Sequence, residues 1–271
     1  MIELFEQNIR TCARQSSKGN QLKWENAGIW YKADYTGYEG LAEYIISHLL
    51  RKSTLEENEY VCYDLEQIKY GTMVYNGAKS ENFLDKDWQI ITLERLFGNF
   101  FGESLYKALY RIPEHEERLQ FLVQQVERMT GLRNFGIYMN KLLTIDALFL
   151  NEDRHTHNIA VLMNGKGDYA YCPIFDNGAG LLADTTMDYP LSGDIHLLMN
   201  NVQSKTICSE FTEQLDISEA LYKTNLKFQF TKKDVKELLA NAEIYPEEIR
   251  NRVETIIFAQ MRKYKYLFTT E

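Results

Sequence analysis

Residues 151–162 read NEDRHTHNIAVL, and this stretch decides how the rest of the chain is interpreted. It places acidic side chains, an arginine, two histidines and two asparagines directly after the apolar stretch LLTIDALFL (142–150). A hydrophobic core does not need such a concentration of hydrogen-bonding groups. The stretch therefore indicates a metal site, a catalytic loop or a polar turn, and the flanking sequence has to separate these alternatives.

The residues that follow predict a hairpin that ends in a second polar turn. IAVLM (159–163) and YAYCPIF (169–175) have the composition of strands, NGKGD lies between them, and the turn DNG (176–178) comes next. We expect the hairpin to bring Asp176 close to Asn158, so that Asp153, Asn158 and Asp176 converge. Two carboxylates and an amide are hard oxygen donors, which suit Mg²⁺ held together with phosphate oxygens. One carboxylate is then left to accept a proton from a hydroxyl group.

An Asp-x-x-x-x-Asn loop followed by a hairpin and Asp-x-Gly resembles the catalytic site of protein kinases. The order DRHTHN differs from the His-Arg-Asp order of eukaryotic protein kinases and is similar to HipA-family kinases and phosphoinositide 3/4-kinases. NEDRHTHNIAVL together with CPIFDNGAGLL (172–182) most closely resembles the catalytic core of HipA-like bacterial serine/threonine kinases. The resemblance covers roughly residues 14–200, without the additional N-terminal domain of larger HipA proteins.

The resemblance implies a role for each polar residue of the loop 151–158 and of the turn 176–178. Asp153 is the expected catalytic aspartate, Asn158 and Asp176 are the expected Mg²⁺ ligands, and His155 supports the loop beside the bound nucleotide. Arg154 has two open alternatives, which are binding a phosphate and bracing the DNG turn. Asn177 stands where many kinases have phenylalanine, so we expect no switch driven by a Phe at this position.

The N-terminal part contains the other expected nucleotide-binding residues. Lys32 lies in the strand-like stretch IWYKAD, and the resemblance assigns it to the α- and β-phosphates of ATP. The next helix carries two acids that could pair with this lysine. Glu39 is the expected partner and Glu43, one turn further on, is the rival. SSKGNQ (16–21) is the expected loop over the phosphates, and its candidate residues are Ser16, Ser17 and Lys18. Ser16 and Ser17 are also candidates for autophosphorylation.

The order of elements predicts an α+β fold with two lobes, similar to protein kinases. Strand-like stretches surround one helix in residues 1–82, the expected small, sheet-rich N-lobe, and residues 75–81 are the expected hinge beside adenine. From Thr92 the pattern is mainly helical, so residues 83–271 are the expected larger C-lobe. Thr92 is predicted to cap a helix, and Gly131 to end another. A cleft between two lobes is the expected place for a ligand.

Composition limits the partners. The chain has 271 residues with 30 basic and 39 acidic side chains, a net charge of −9 and no basic block, which argues against binding nucleic acid or a membrane surface. Four scattered cysteines and the absence of a signal-peptide pattern favour a cytoplasmic location. We expect a protein substrate of unknown identity, with ATP and Mg²⁺ as cofactors. The HipA resemblance adds a possible antitoxin-type regulatory partner.

Other interpretations stay open at this point. His155, His157 and Asp153 could form a zinc or iron site, and DNG could be an ordinary hairpin turn. Lys32 could be a surface lysine that lies along an apolar strand. The chain could also be a nucleotide- or protein-binding module without turnover, since SSKGNQ contains a single glycine, or a lipid or small-molecule kinase.

Overall fold

The structure is a computed structural model, and it describes residues 1–9 and 21–269. The strands in chain order are β1 (Ile2–Leu4), β2 (Lys23–Asn26), β3 (Ile29–Ala33), β4 (Asp64–Tyr70), β5 (Met73–Glu81), β6 (Trp88–Thr92), β7 (Ala160–Asn164) and β8 (Tyr169–Tyr171). The helices are α1 (Glu39–Leu50), α2 (Leu93–Phe101), α3 (Leu105–Tyr110), α4 (His115–Thr130), α5 (Phe135–Phe149), α6 (Ile195–Asn201), α7 (Phe211–Tyr222), α8 (Lys232–Ala240) and α9 (Glu247–Lys263).

The chain forms two compact units. The first unit consists of Met1–Phe83, Phe175–Val202 and Phe228–Glu271, and the second consists of Leu84–Ile174 and Gln203–Lys227. The first unit therefore contains residues from both the expected N-lobe and the expected C-lobe. The lobe boundary at residues 82 and 83 stays a prediction.

A five-stranded sheet in the order β1-β4-β5-β3-β2 is the centre of the first unit. The β2–β3 hairpin turns at Ala27 and Gly28, which both have positive φ (51° and 81°), as a two-residue turn of this hand requires. Alternate residues of these strands, including Trp24 and Tyr31, are buried in one cluster with Ile68. The turn sequence ENAG (25–28) thus joins two antiparallel strands.

Helix α1 lies against this sheet at unusually close range. A Cβ atom on Gly77 of β5 would lie 2.1 Å from the carbonyl oxygen of Lys32, and one on Gly40 would lie 2.5 Å from the carbonyl carbon of Gly77. Only glycine fits at both positions, because real Cβ atoms do not approach other atoms so closely. The two glycines thus fix the height of α1 above β3, the strand that carries Lys32.

The second unit combines helices with a three-stranded antiparallel sheet in the order β6-β7-β8. Thr92 caps α2 by accepting a hydrogen bond from the backbone N–H of Arg95, and α4 ends at Gly131 with φ 74°. Both predicted helix boundaries are confirmed. Helix α5 is buried along most of its length and ends at Leu150, whose φ of 54° turns the chain into the loop 151–158.

The expected hinge at residues 75–81 falls within β5, and its role as a hinge stays a prediction. These residues form the body of β5, where Tyr75 pairs with Ile68 of β4 and Ser80 pairs with Trp30 of β3. Residues 77–79 pair with both neighbouring strands, whereas residues 75–76 pair only with β4 and residues 80–81 only with β3. In the described part of the chain, no helix combines the length and apolar character needed to cross a membrane.

Candidate active site

Lys32, Glu43 and Asp176 form an ion-pair cluster in the first unit. The Lys32 Nζ atom lies 2.6 Å from Oε1 of Glu43 and 2.8 Å from Oδ1 of Asp176. It also lies 3.4 Å from the hydroxyl oxygen of Tyr63, above whose ring it stands at 4.9 Å from the centroid. One ammonium group is therefore shared by two carboxylates.

Burial and charge act in opposite directions on Lys32. Burial by itself lowers the pKa of this ammonium group, but the carboxylates of Asp176 and Glu43 more than offset it, and the pKa is raised well above its ordinary value. The lysine is thus a permanent cation. The Glu43 side chain is 2% exposed, whereas that of Asp176 is 27% exposed, so Asp176 is the member of the cluster that a solvent-borne ligand can reach.

The turn at Asp176 is held in place by α1. Asp176 has a φ of 62°, in the left-handed backbone region that residues other than glycine seldom adopt. The backbone N–H of the next residue, Asn177, donates a 2.9 Å hydrogen bond to Oε2 of Glu43. Gly178 passes so close to α1 that a Cβ atom on it would be 3.4 Å from Cβ of Glu39. Glu43 therefore orients both Lys32 and the backbone of the turn.

The expected partnership between Lys32 and Glu39 is not made, and Glu43 takes that place. The Glu39 carboxylate accepts hydrogen bonds from the backbone N–H of Thr36 at 2.7 Å and from its hydroxyl group at 2.8 Å. Glu39 is the first residue of α1, so its side chain reaches the preceding loop, while Glu43 one turn later faces β3. Of the two acids left open by the sequence, the structure favours Glu43.

Asp153 and Asn158 come together inside the second unit, as predicted for residues of one loop. The Asn158 side-chain nitrogen donates to the backbone carbonyl of Asp153 at 2.8 Å and to its Oδ2 atom at 3.1 Å. Because the amide nitrogen faces Asp153, the amide oxygen faces away from it and suits a metal ion. Asp176 belongs to the first unit, so the expected set of three residues is divided between the units.

Two cationic or potentially cationic groups face the other oxygen of Asp153. His155 Nε2 and Lys205 Nζ each lie 3.7 Å from Oδ1. His155 also accepts a 3.2 Å hydrogen bond at Nδ1 from the backbone N–H of His157, which supports the loop as expected. Burial lowers the pKa of His155, so the imidazole favours the neutral form. Lys205 was not among the residues found by sequence analysis.

Arg154 is a buried structural residue, so of its two open alternatives the structure argues against binding a phosphate. Its side chain is 1% exposed, and Nε lies 3.1 Å from Oδ2 of Asp146, a fully buried residue of α5. Its Nη1 atom donates to the Asn158 carbonyl at 3.3 Å, and its own carbonyl accepts from the Thr206 hydroxyl. A guanidinium group inside the unit cannot meet a phosphate, but it fixes the loop that carries Asp153.

The remaining expected site residues, Ser16, Ser17 and Lys18, are outside the described residues. Of the residues that sequence analysis missed, Tyr63 had no local signal, but Asp146 did, since an aspartate within the apolar stretch LLTIDALFL needs a buried partner.

A zinc or iron site at His155 and His157 is not supported. Within residues 1–9 and 21–269, the group of three potential metal ligands whose atoms lie within 4.8 Å of one another is His115, Cys208 and Glu213. In that group His115 Nδ1 already lies 2.6 Å from Oε1 of Glu213. Burial raises the pKa of Cys208 to about 11, so it is a neutral thiol.

Comparison with known proteins gives a fold but no family. No family model matches the chain, and a search of curated proteins finds no relative. A search of solved structures finds the proinflammatory kinase CtkA of Helicobacter pylori, with a TM-score of 0.60 and 16% sequence identity over 97% of this chain and 95% of that one. The expected α+β, protein kinase-like fold is confirmed. The more specific likeness to HipA stays a prediction.

Proposed function

We propose that this protein transfers the γ-phosphoryl group of ATP, with Mg²⁺, to a serine or threonine hydroxyl group of a protein. The observation that carries the proposal is the Lys32 cluster, in which one buried ammonium group is shared by Glu43 on α1 and by Asp176 at the DNG turn. Its supports are the pairing of Asp153 with Asn158 and the fold shared with a bacterial kinase.

The residues fit a magnesium-bound triphosphate chemically. The extra carboxylate at Lys32 and the free-facing amide oxygen of Asn158 are hard oxygen donors, and Mg²⁺ is commonly held by few such protein ligands together with phosphate oxygens. Asp176 and Asn158 would hold the metal, and Lys32 would contact the phosphates. When bound, Mg·ATP supplies the transferable phosphoryl group and the positive charge that offsets the charge of its oxygens.

Asp153 is proposed to orient the acceptor hydroxyl group and to take its proton. The acceptor oxygen forms a bond to the γ-phosphorus atom, the bond from that phosphorus to the ADP oxygen breaks, and the hydroxyl proton goes to the carboxylate. Asn158 holds one oxygen of Asp153 at 3.1 Å, and the buried Arg154 fixes the loop backbone. The chain thus contributes positioning and charge, with no covalent intermediate.

The test is incubation of the full chain with Mg²⁺ and γ-labelled ATP, alone and with a cell lysate. Asp153→Asn and Asp176→Asn are the test variants, and Asp216→Asn, at an exposed position of α7, is the matched control. We expect label on the protein or on a lysate protein, its loss in both test variants, and its retention in the control.

Other outcomes separate the alternative functions. ATP that raises the melting temperature without labelling any protein would favour a binding module. Label that appears only in lipid or small-molecule fractions would favour the other acceptor classes. The absence of both labelling and any thermal response to ATP would overturn the proposal.

A further inference from the structure

A cavity of about 610 Å³ lies within the second unit, beside the loop that carries Asp153. His155, Thr156 and His157 of that loop line it, and Lys205 contributes to another wall. Because Lys205 and His155 each lie 3.7 Å from Oδ1 of Asp153, the cavity begins next to the proposed catalytic carboxylate. A segment of an acceptor protein in this cavity would have its hydroxyl group within reach of that carboxylate.

The lining of the cavity contains two cations and one carboxylate, although the chain as a whole carries a charge of −9. Arg118 contributes most to the positive potential of the lining, because it is only 6% exposed and solvent screens its charge weakly. Its guanidinium group donates to the carbonyl oxygens of Ile112 and Ile207 and stacks 4.6 Å from the Tyr110 ring centroid. Among the described residues it meets these neutral groups rather than a carboxylate, so its charge is not cancelled inside the wall.

The lining also contains one carboxylate, Glu94, against the two cations Arg118 and Lys205. Glu94 accepts hydrogen bonds from the Thr156 hydroxyl at 2.8 Å and from the backbone N–H of Tyr106 at 3.0 Å. Lys205, in contrast, is 44% exposed, and its contact with Asp153 at 3.7 Å is longer than a hydrogen bond. An anionic group that enters the cavity therefore meets one accessible ammonium group and one buried guanidinium group.

We propose that this cavity binds the acceptor segment and selects serine or threonine residues that are flanked by aspartate or glutamate. The inference rests on the proposed kinase activity and adds the substrate class to it. A carboxylate next to the target hydroxyl group pairs with Lys205 and lies in the field of Arg118. A lysine or arginine at the same position would be repelled, so the cavity discriminates in both directions.

The experiment uses the full chain, Mg·ATP and a positional peptide library with a fixed central serine or threonine. Each flanking position is occupied in turn by Glu, Gln or Lys. At one or more positions we expect kcat/KM for Glu to exceed that for Gln by about tenfold, as one ion pair of moderate strength predicts. The preference should weaken in high salt, because the contact with Lys205 is exposed.

Variants of Lys205 assign the preference to this cavity. In Lys205→Gln, the kcat/KM for Glu peptides divided by that for Gln peptides should fall to near one. In Lys205→Arg, this ratio should stay at the wild-type value. Lys166→Gln, in the exposed turn between β7 and β8, is the matched control and should behave as the wild type. The ratio of two substrates is compared within each variant, so a general loss of activity does not affect the result.

The outcomes separate this inference from the kinase proposal. A wild type that labels peptides or lysate proteins without preferring acidic flanks overturns the inference and leaves the kinase activity standing. The same holds if the preference survives in Lys205→Gln. A wild type that labels nothing overturns the kinase proposal, and this inference with it.

Discussion

Two buried ion-pair groups of this protein differ in their charge balance. In the second unit, Asp146 and Arg154 match one negative with one positive charge, and both side chains are at most 1% exposed. In the first unit, Lys32 is matched with two carboxylates, and Asp176 is 27% exposed. In the balanced pair, each charge is matched by the charge of the other side chain. In the Lys32 cluster two carboxylates share one lysine, and a partly exposed carboxylate such as Asp176 is a hard oxygen donor that suits a magnesium ion.

The comparison teaches that burial alone does not identify a functional ion pair. Both groups are held by hydrogen bonds, and each contains one residue of a sequence motif. Arg154 belongs to NEDRHTHN, and Asp176 belongs to DNG. A second carboxylate and its partial exposure separate the group that can bind a ligand from the group that supports a loop. Substitutions in the two groups should therefore affect different measurements, activity in one case and stability in the other.

The largest expected effect is on activity. Asp176→Asn removes one negative charge but keeps the shape and, because asparagine tolerates a φ of 62°, the turn as well. We expect phosphoryl transfer to fall about 10³-fold, since metal binding supplies several kcal/mol of stabilisation. Urea unfolding of the same variant should change by less than about 1 kcal/mol. A loss of stability as large as the loss of activity would contradict this division of roles.

The next effect is on stability. Arg154→Met leaves the Asp146 carboxylate buried without its cation, which costs about 3–5 kcal/mol in the free energy of unfolding. Urea denaturation measures this change. The control is Lys233→Gln, which breaks an exposed pair with Glu237 on α8 and should change the free energy of unfolding by less than about 0.5 kcal/mol. Equal effects of the two substitutions would show that the buried pair is not a brace.

A third effect depends on pH. Burial raises the pKa of Asp34 from 3.8 to about 7, against the opposing hydrogen bonds from the Gly40 N–H and the Tyr245 hydroxyl. The folded state therefore holds this proton more tightly than the unfolded state. The free energy of unfolding should fall as pH rises from about 4 to about 7, by at most about 4 kcal/mol. Asp34→Asn should flatten that part of the curve of stability against pH.

The smallest expected effect separates the two acids of α1. Glu43→Gln should reduce phosphoryl transfer by about 10- to 100-fold, because Glu43 orients both Lys32 and the Asn177 backbone. Glu39→Gln should change it by less than about threefold, since Glu39 caps the loop at Thr36 instead. Steady-state kinetics of the two variants gives the answer, and a reversed order would restore Glu39 as the partner of Lys32.

The parts of the site that could be predicted from the sequence are those set by nearby residues. The pairing of Asp153 with Asn158 spans five residues of one loop, and the hairpin, the Thr92 cap and the position of Lys32 in β3 follow from local patterns. The partner of Lys32 could not be predicted in the same way. Glu39 and Glu43 lie four residues apart on one helix face, and the choice depends on how closely α1 approaches β5.

The role of Arg154 and the strand at residues 75–81 could not be settled from the sequence either. Arg154 follows the catalytic aspartate in the sequence, but its partner Asp146 lies in the helix before the loop, on the far side of the left-handed turn at Leu150. Residues 77–81 have a turn-rich composition, yet they pair with β3, which lies far earlier in the chain. This long-range pairing overrides composition there.

The contact between Gly40 and Gly77 has a consequence for motion. Where a helix contacts a strand backbone to backbone, no side chains lie between them. The helix can therefore shift or tilt only by losing that packing contact. Helix α1 and strand β5 therefore behave as one rigid body. Glu43 belongs to that helix and Lys32 to the adjacent strand of the same sheet, so we expect the two side chains to move together. Separation of this pair is therefore an unfavourable way to control the protein.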